Sequence, residues 1–334
     1  MSSAQLATFN DYLWRAGGLA LPIAVAILLS ILSLPLTRAQ TTAPSNPPEK
    51  VIIDSDLGDD IDDAFALALA LRSPELQILG VTTAFGDTEL RARLADRFLG
   101  EVGHPEIPVA VGIPTRANNQ FTQRPYAKSG HFARASHPGA VDFLLDQIRR
   151  YPGQITLIGI GPLVNVGAAI DKDPATFRKL KRVVIMGGSI KRGYGDVDYG
   201  TPSPPQPEWN ILNDIPSAQK LFAAGVPLYV MPLDSTQLKL DEVKRAYLFR
   251  QGTPLSDALT ILYHQWGQQT PTLFDAMAVA YAVDPKLCPV EPMRIRVDEK
   301  GSTLVESGTP NAQVCLNSSS DQFFRFYLDR VAKP

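Results

Sequence analysis

Residues 51–71 read VIIDSDLGDDIDDAFALALAL, and this stretch decides the fold. An unbroken apolar run, Val51 to Ile53, meets six carboxylates within the ten residues Asp54 to Asp63, and an apolar helical pattern follows at once. Continuous rather than alternating apolarity predicts a strand covered on both faces, as in a parallel sheet with helices on each side. Four more runs repeat the theme: 76–86, 155–161, 182–188 and 227–234. Between them, 63–72, 89–99, 140–150 and 217–224 carry helical stripes; Ala64, Leu67, Ala68 and Leu71 share one face of the first. The expected fold is α/β, a mostly parallel doubly wound sheet flanked by helices. Ligands of such sheets bind beyond the carboxyl ends of the strands, where the acidic cluster begins.

The chain has 334 residues, 45% hydrophobic and 20% charged, which fits a globular protein with a large core. Its formal net charge of −2 provides no field to attract a polyphosphate, so nucleic acid is not an expected partner. Ala16 to Leu36 is free of charge and long enough to span a bilayer, and Thr37-Arg38-Ala39 offers a small-residue cleavage context. Residues 1–39 read as a signal peptide or membrane anchor, 40–49 as a disordered linker and 50–334 as one catalytic-sized domain. The expected location is outside the cytoplasm, periplasmic or extracellular, or anchored to the membrane. In that setting Cys288 and Cys315, which flank a predicted hairpin around Lys300-Gly301, could be bridged or could be two buried thiols. Gly193 to Pro207 reads as one long loop, and loops of that length more often serve function than not.

Six crowded carboxylates at a strand end repel one another unless a cation or water compensates. Capping and the helix dipole account for one or two of them, but not for Asp54 and Asp56, which alternate along the strand end. A hard, oxygen-seeking divalent ion suits the set; with no His or Cys nearby, zinc does not. An EF-hand is excluded, because its third and last ligand positions would fall on Gly58 and Phe65.

This acidic turn resembles the amino-terminal signature of the inosine-uridine preferring nucleoside hydrolases, in a longer variant with two extra residues before the final Asp pair. Val81 to Thr88, Gly161-Pro162-Leu163-Val164-Asn165-Val166, Met186-Gly187-Gly188, Glu208-Trp209-Asn210-Ile211 and Leu273 to Val279 resemble the family's later motifs in order. The resemblance implies Ca2+ held by Asp56, Asp63, the backbone carbonyl of Val164 and Asp275. It implies Asp62 as the base acting on a metal-bound water that attacks the anomeric carbon of a nucleoside or related N-riboside. Substrate contacts would come from Asp87, Met186, Glu208, Trp209, Asn210 and Phe274, and the enzyme would be a homo-oligomer, dimer or tetramer.

Two positions depart from the pattern. Phe274 stands where purine-active relatives carry a His that protonates the leaving base, and Asp87 stands where the family often has Asn. His131, in the loop from Arg116 to His137, is an alternative leaving-group acid, and Trp209 and Trp266 could stack on a base. Asp54 suits a residue that orients ligands from behind, and Asp60 could be a ligand, a supporting group or solvated. Two other functions remain compatible with the sequence. One is a sugar or nucleoside binding protein that has lost turnover. The other is a haloacid-dehalogenase-type phosphatase with Asp54 as nucleophile.

Overall fold

The computed structural model describes residues 47–117, 119–195 and 203–333. The apolar segment 16–36, its cleavage context and residues 40–46 of the expected linker lie outside these residues, as does the middle of the Gly193 to Pro207 loop. No described helix is long and apolar enough to cross a membrane.

Among the described residues, nine strands form one sheet in the order β3-β2-β1-β4-β5-β6-β9-β7-β8. They are β1 (Glu49–Ser55), β2 (Leu76–Thr83), β3 (Val109–Ala110), β4 (Ile155–Gly159), β5 (Arg182–Met186), β6 (Leu228–Met231), β7 (Glu291–Val297), β8 (Thr303–Glu306) and β9 (Ala312–Val314). All pairings from β3 across to β9 are parallel, and the last two, β9 with β7 and β7 with β8, are antiparallel. β1 begins at Glu49, one residue inside the expected linker. The Glu49 carboxylate is anchored there by Arg182 at 2.9 Å and Lys181 at 2.7 Å.

Alternate residues of β1 sort to opposite faces, Val51 and Ile53 into one apolar core and Ile52 into the other. The first core holds helix α1 (Asp62–Leu71), helix α2 (Thr88–Glu101) and the helix Ala276–Val283. The second holds the helices Ala140–Arg150, Val164–Lys172 and Ile215–Ala223. A strand buried on both sides has no polar face to show, which is why its sequence is apolar without alternation. Phe65, Leu69, Phe98, Leu157 and Phe177 are fully buried. Each such side chain contributes about 1.5–3 kcal/mol of transfer free energy.

The strand order reverses at β1, whose neighbours β2 and β4 lead away in opposite directions. That switch point opens a crevice between the two sets of connecting loops. Asp54 sits there in register with Thr82 of β2 and Gly159 of β4.

The predicted hairpin forms: β7 and β8 pair across a turn in which Asp298 accepts hydrogen bonds from Lys300 N at 2.9 Å and Ser302 N at 2.8 Å. Cys288 and Cys315 are bridged, with Cα atoms 5.7 Å apart. The bridge does not close the outer ends of that hairpin, because the chain turns again after β8. Cys315 follows β9, which lies along the other edge of β7.

Candidate active site

The loop from Asp54 to Asp63 leaves β1, turns under a flap formed by residues 119–123, and enters α1. Gly58 has φ +128°, and a Cβ there would lie 2.1 Å from the Phe121 ring, so both backbone angle and space demand glycine. Gln123 N donates to Gly58 O at 3.0 Å, and Thr122 Oγ1 to Asp59 O at 2.7 Å. The flap thus fastens the loop through its carbonyls.

Arg91 of α2 fastens it from the other side. Its guanidinium is 1% exposed and donates to Phe85 O at 2.7 Å, Leu57 O at 3.0 Å, Asp56 O and the Asp59 carboxylate. Four acceptors surround one buried cation, so removing it leaves several without a partner. Arg91→Met is expected to destabilise the fold by about 3–5 kcal/mol. A denaturant midpoint that falls at unchanged slope reads this directly.

Four carboxylates turn inward from these supports. Asp62 and Asp63, in the first turn of α1, and Asp275, just before the helix Ala276–Val283, each bring an oxygen within 4.8 Å of the others. Asp275 N donates to Asp62 Oδ2 at 3.3 Å, and Ser55 Oγ to Asp63 Oδ1 at 2.6 Å. Asp56 lines the same cavity and electrostatically raises the other three. Burial pushes Asp62, Asp63 and Asp275 well above the ordinary carboxylate range, and mutual repulsion adds to it. Burial also raises Asp56 to about 7, although the Arg91 charge opposes the shift.

The open cavity over these groups has a volume of about 270 Å3, at the small end for small-molecule sites. Among the described residues lining it there is no Lys, Arg, His or Cys. The lining carboxylates, without a compensating side chain, could hold a hard cation, and their all-oxygen chemistry would suit calcium or magnesium rather than zinc.

Asp54 stands behind the cavity. One oxygen accepts from Thr82 and, at 2.7 Å, from Asn165 Nδ2, while the other is buried without a partner. Burial raises its pKa to about 6. The same Asn165 accepts from Ile113 N at 3.0 Å and donates to Thr83 O at 2.9 Å, tying three strand ends together. Asp54 does not line the cavity, which leaves a nucleophilic Asp54 no approach to a substrate there.

The opposite wall comes from β5 and the segment after it. Glu208 is fully enclosed and accepts from Gly188 N at 3.0 Å, Asn210 N at 2.9 Å and Ile211 N at 3.1 Å. Burial raises its pKa and these amides restrain the rise. Asn210 Nδ2 donates to Met186 O at 3.1 Å, which fixes its amide over the end of β5. Trp209 is 40% exposed, faces Asp56, whose raised pKa it helps to restrain, and meets Phe85 edge-on at 6.1 Å. Phe274 lies beside Asp275 on the aromatic side of the cavity.

Of the expected residues, Asp56, Asp62, Asp63, Asp275, Met186, Glu208, Trp209, Asn210 and Phe274 therefore share one cavity. Val164 and Asp87 are not among its lining residues. The turn before Val164 packs against Asp56 at Gly161, where a Cβ would come within 2.8 Å of Asp56 N and Oδ1. Asp87 points instead into a neighbouring cavity beside Asp59, Arg91 and Arg124, because its carboxylate caps α2 by accepting Leu90 N at 3.1 Å. Asp60 lines the main cavity; burial raises its pKa, and Ile61 N donates to it at 2.7 Å. His131 is exposed in the loop beyond the helix Arg124–Lys128, and His137 lies 3.8 Å from Asp96; neither lines the cavity.

Tyr194, Ile160 and Arg91 were not singled out from the sequence. Ile160 follows β4 directly and could have been found by the strand-end rule. Tyr194 is 36% exposed at the cavity mouth. Its hydroxyl accepts Trp209 N–H at 3.0 Å and lies 3.5 Å from Glu208 Oε1, and its ring meets Phe274 edge-on at 6.0 Å.

The model of the inosine-uridine preferring nucleoside hydrolase family matches residues 51–325. Uridine nucleosidase 1 of Arabidopsis thaliana is 30% identical over 286 residues, which cover 78% of this chain and 82% of that protein. The pyrimidine-specific ribonucleoside hydrolase RihA of Salmonella gallinarum is 29% identical over 84% of this chain and 97% of its own. Among solved structures, a plant nucleoside hydrolase superposes with a TM-score of 0.75 at 26% identity, covering 86% of this chain and all of that one. A purine-preferring ribonucleoside hydrolase from Gardnerella vaginalis gives 0.71 at 26% identity, covering 85% and 98%.

Proposed function

Because this chain belongs to the inosine-uridine preferring nucleoside hydrolase family and is a nucleoside hydrolase, we propose that it cleaves pyrimidine ribonucleosides, uridine first, with calcium in its acidic cavity. The observation that carries this reading is the convergence of Asp62 and Asp63 with Asp275, more than two hundred residues later, on one buried point. Asp56, Asp63 and Asp275 would hold the ion, with the Val164 carbonyl as a further donor. When bound, the ion would orient the ribose hydroxyls and make the attacking water more acidic.

The chain's own groups account for the rest. Asp62 accepts the water proton as the C1′–O bond forms, and its orientation is held by the amide of Asp275. Glu208 and Asn210, fixed by backbone partners, take the ribose hydroxyls without needing to reorganise. Trp209 and Phe274 offer apolar surface to the base. As the C1′–N bond breaks, positive charge grows on the sugar, and the surrounding carboxylates favour it. The charge-free segment 16–36 supports a role outside the cytoplasm.

A release assay with uridine, inosine and nicotinamide riboside tests the reading, with free base and ribose quantified together. Equimolar base and ribose from uridine is the expected result. Saturable binding of uridine without cleavage would overturn it in favour of a binding protein. Phosphate release from a phosphomonoester without base release would favour the phosphatase.

A further inference from the structure

Resting on that reading, we propose that the Tyr194 hydroxyl delivers the proton that the departing base needs, the role for which Phe274 has no donor. The cavity contains few candidates. Asp56, Asp63 and Asp275 serve the ion, Asp62 the water and Glu208 the ribose; Asp60 is engaged by Ile61 N at 2.7 Å, and the Asn210 amide is bonded to Met186 O. Tyr194 is the remaining lining side chain with a hydroxyl, and it stands against Phe274 itself, ring centroids 6.0 Å apart.

The phenol is also held ready to donate. Its oxygen accepts the Trp209 N–H at 3.0 Å, which fixes the oxygen in place. Its own proton goes to Glu208 Oε1 across 3.5 Å, too long for a strong bond, and that carboxylate already takes three backbone amides. A base nitrogen or carbonyl oxygen entering the cavity would compete well for this proton.

The step balances. The C1′–N bond breaks and its electron pair passes into the base, which takes the Tyr194 proton at the atom facing the phenol. Water adds to C1′ and gives its proton to Asp62. Asp62 then releases its proton to solvent and the tyrosinate regains one from solvent, which reaches it because Tyr194 is 36% exposed at the mouth.

The test compares uridine with p-nitrophenyl riboside, whose leaving group departs as a stable anion and needs no proton. In Tyr194→Phe the ratio of kcat/KM for uridine to that for p-nitrophenyl riboside should fall on the order of 10²-fold, the usual contribution of a positioned acid. A parallel fall for both substrates would mean that the hydroxyl merely positions ribose or Trp209, and would overturn the proposal. An unchanged ratio at unchanged rate would overturn it equally. Only an oxygen at the cavity mouth is removed, and an unshifted thermal midpoint verifies that the variant is folded. Parent enzyme that cleaves neither substrate would remove the riboside reading itself, a failure visible before any variant is made.

Discussion

Asp62→Asn lowers kcat for uridine on the order of 10³-fold and leaves riboside affinity close to that of the parent protein. The substitution keeps shape and hydrogen-bonding capacity, so Asp275 N can still donate to the side-chain oxygen at this position. What is lost is an acceptor for the water proton, needed only as the new bond to C1′ forms. An effect confined to the transition state appears in kcat and kcat/KM together rather than in binding. Rapid-quench turnover and calorimetric titration with uridine separate the two. If Asp62→Asn turned over at the parental rate, the base would have to be another carboxylate of the cluster, and the assignment would fail.

Removal of divalent ions stops turnover, and it lowers the thermal midpoint far more at pH 8 than at pH 5. The pH dependence follows from the buried carboxylates. Asp56 is raised to about 7 and Asp54 to about 6, with Asp62, Asp63 and Asp275 raised as well. In the metal-free protein the native state therefore binds more protons than the unfolded chain, whose carboxylates titrate near pH 4. Stability that is fully present below about pH 4 is lost as pH rises through the native values near 6 to 7. Each tenfold difference in proton affinity between the folded and unfolded chain is worth about 1.4 kcal/mol, so ionising the cluster costs several kcal/mol at pH 8. Calcium bound only to the folded form would reverse this, by about 4 kcal/mol at a thousandfold excess over its dissociation constant. The decisive quantity is the difference between calcium-loaded and chelated midpoints, measured at both pH values. An equal difference at pH 5 and pH 8 would contradict a carboxylate-held ion.

Much of this site was legible in the sequence because its residues follow apolar runs. Asp54 lies at the end of β1 and Asp56 just past it, Gly161 follows β4, Met186 ends β5, and a parallel strand buried on both faces announces its own end by the first polar residue. β3, two residues long, was not visible, since Val109-Ala110 is too short to show a period. Tyr194 was hidden for a different reason. It lies in a loop rich in Pro and Gly, where no periodicity fixes which side chains face inward, and only the coordinates bring it to Phe274. Arg91 was obscured by its setting, since an arginine in an amphipathic helix ordinarily reads as solvated, whereas here a ring of carbonyls receives it. Asp87 had a motif match but also a local use, and the cap at Leu90 N engages its carboxylate.

The Cys288–Cys315 link has a practical corollary for anyone preparing the enzyme. It closes a loop with a sequence separation of 27 at the seam where parallel strands give way to antiparallel ones. Opening such a loop frees the denatured chain by about 3–4 kcal/mol, a large part of the 5–15 kcal/mol that holds a typical domain together. Dithiothreitol in a storage buffer should therefore shorten the working life of the catalyst. Expression in a compartment that oxidises thiols, and purification without reductant, should yield the sturdier preparation.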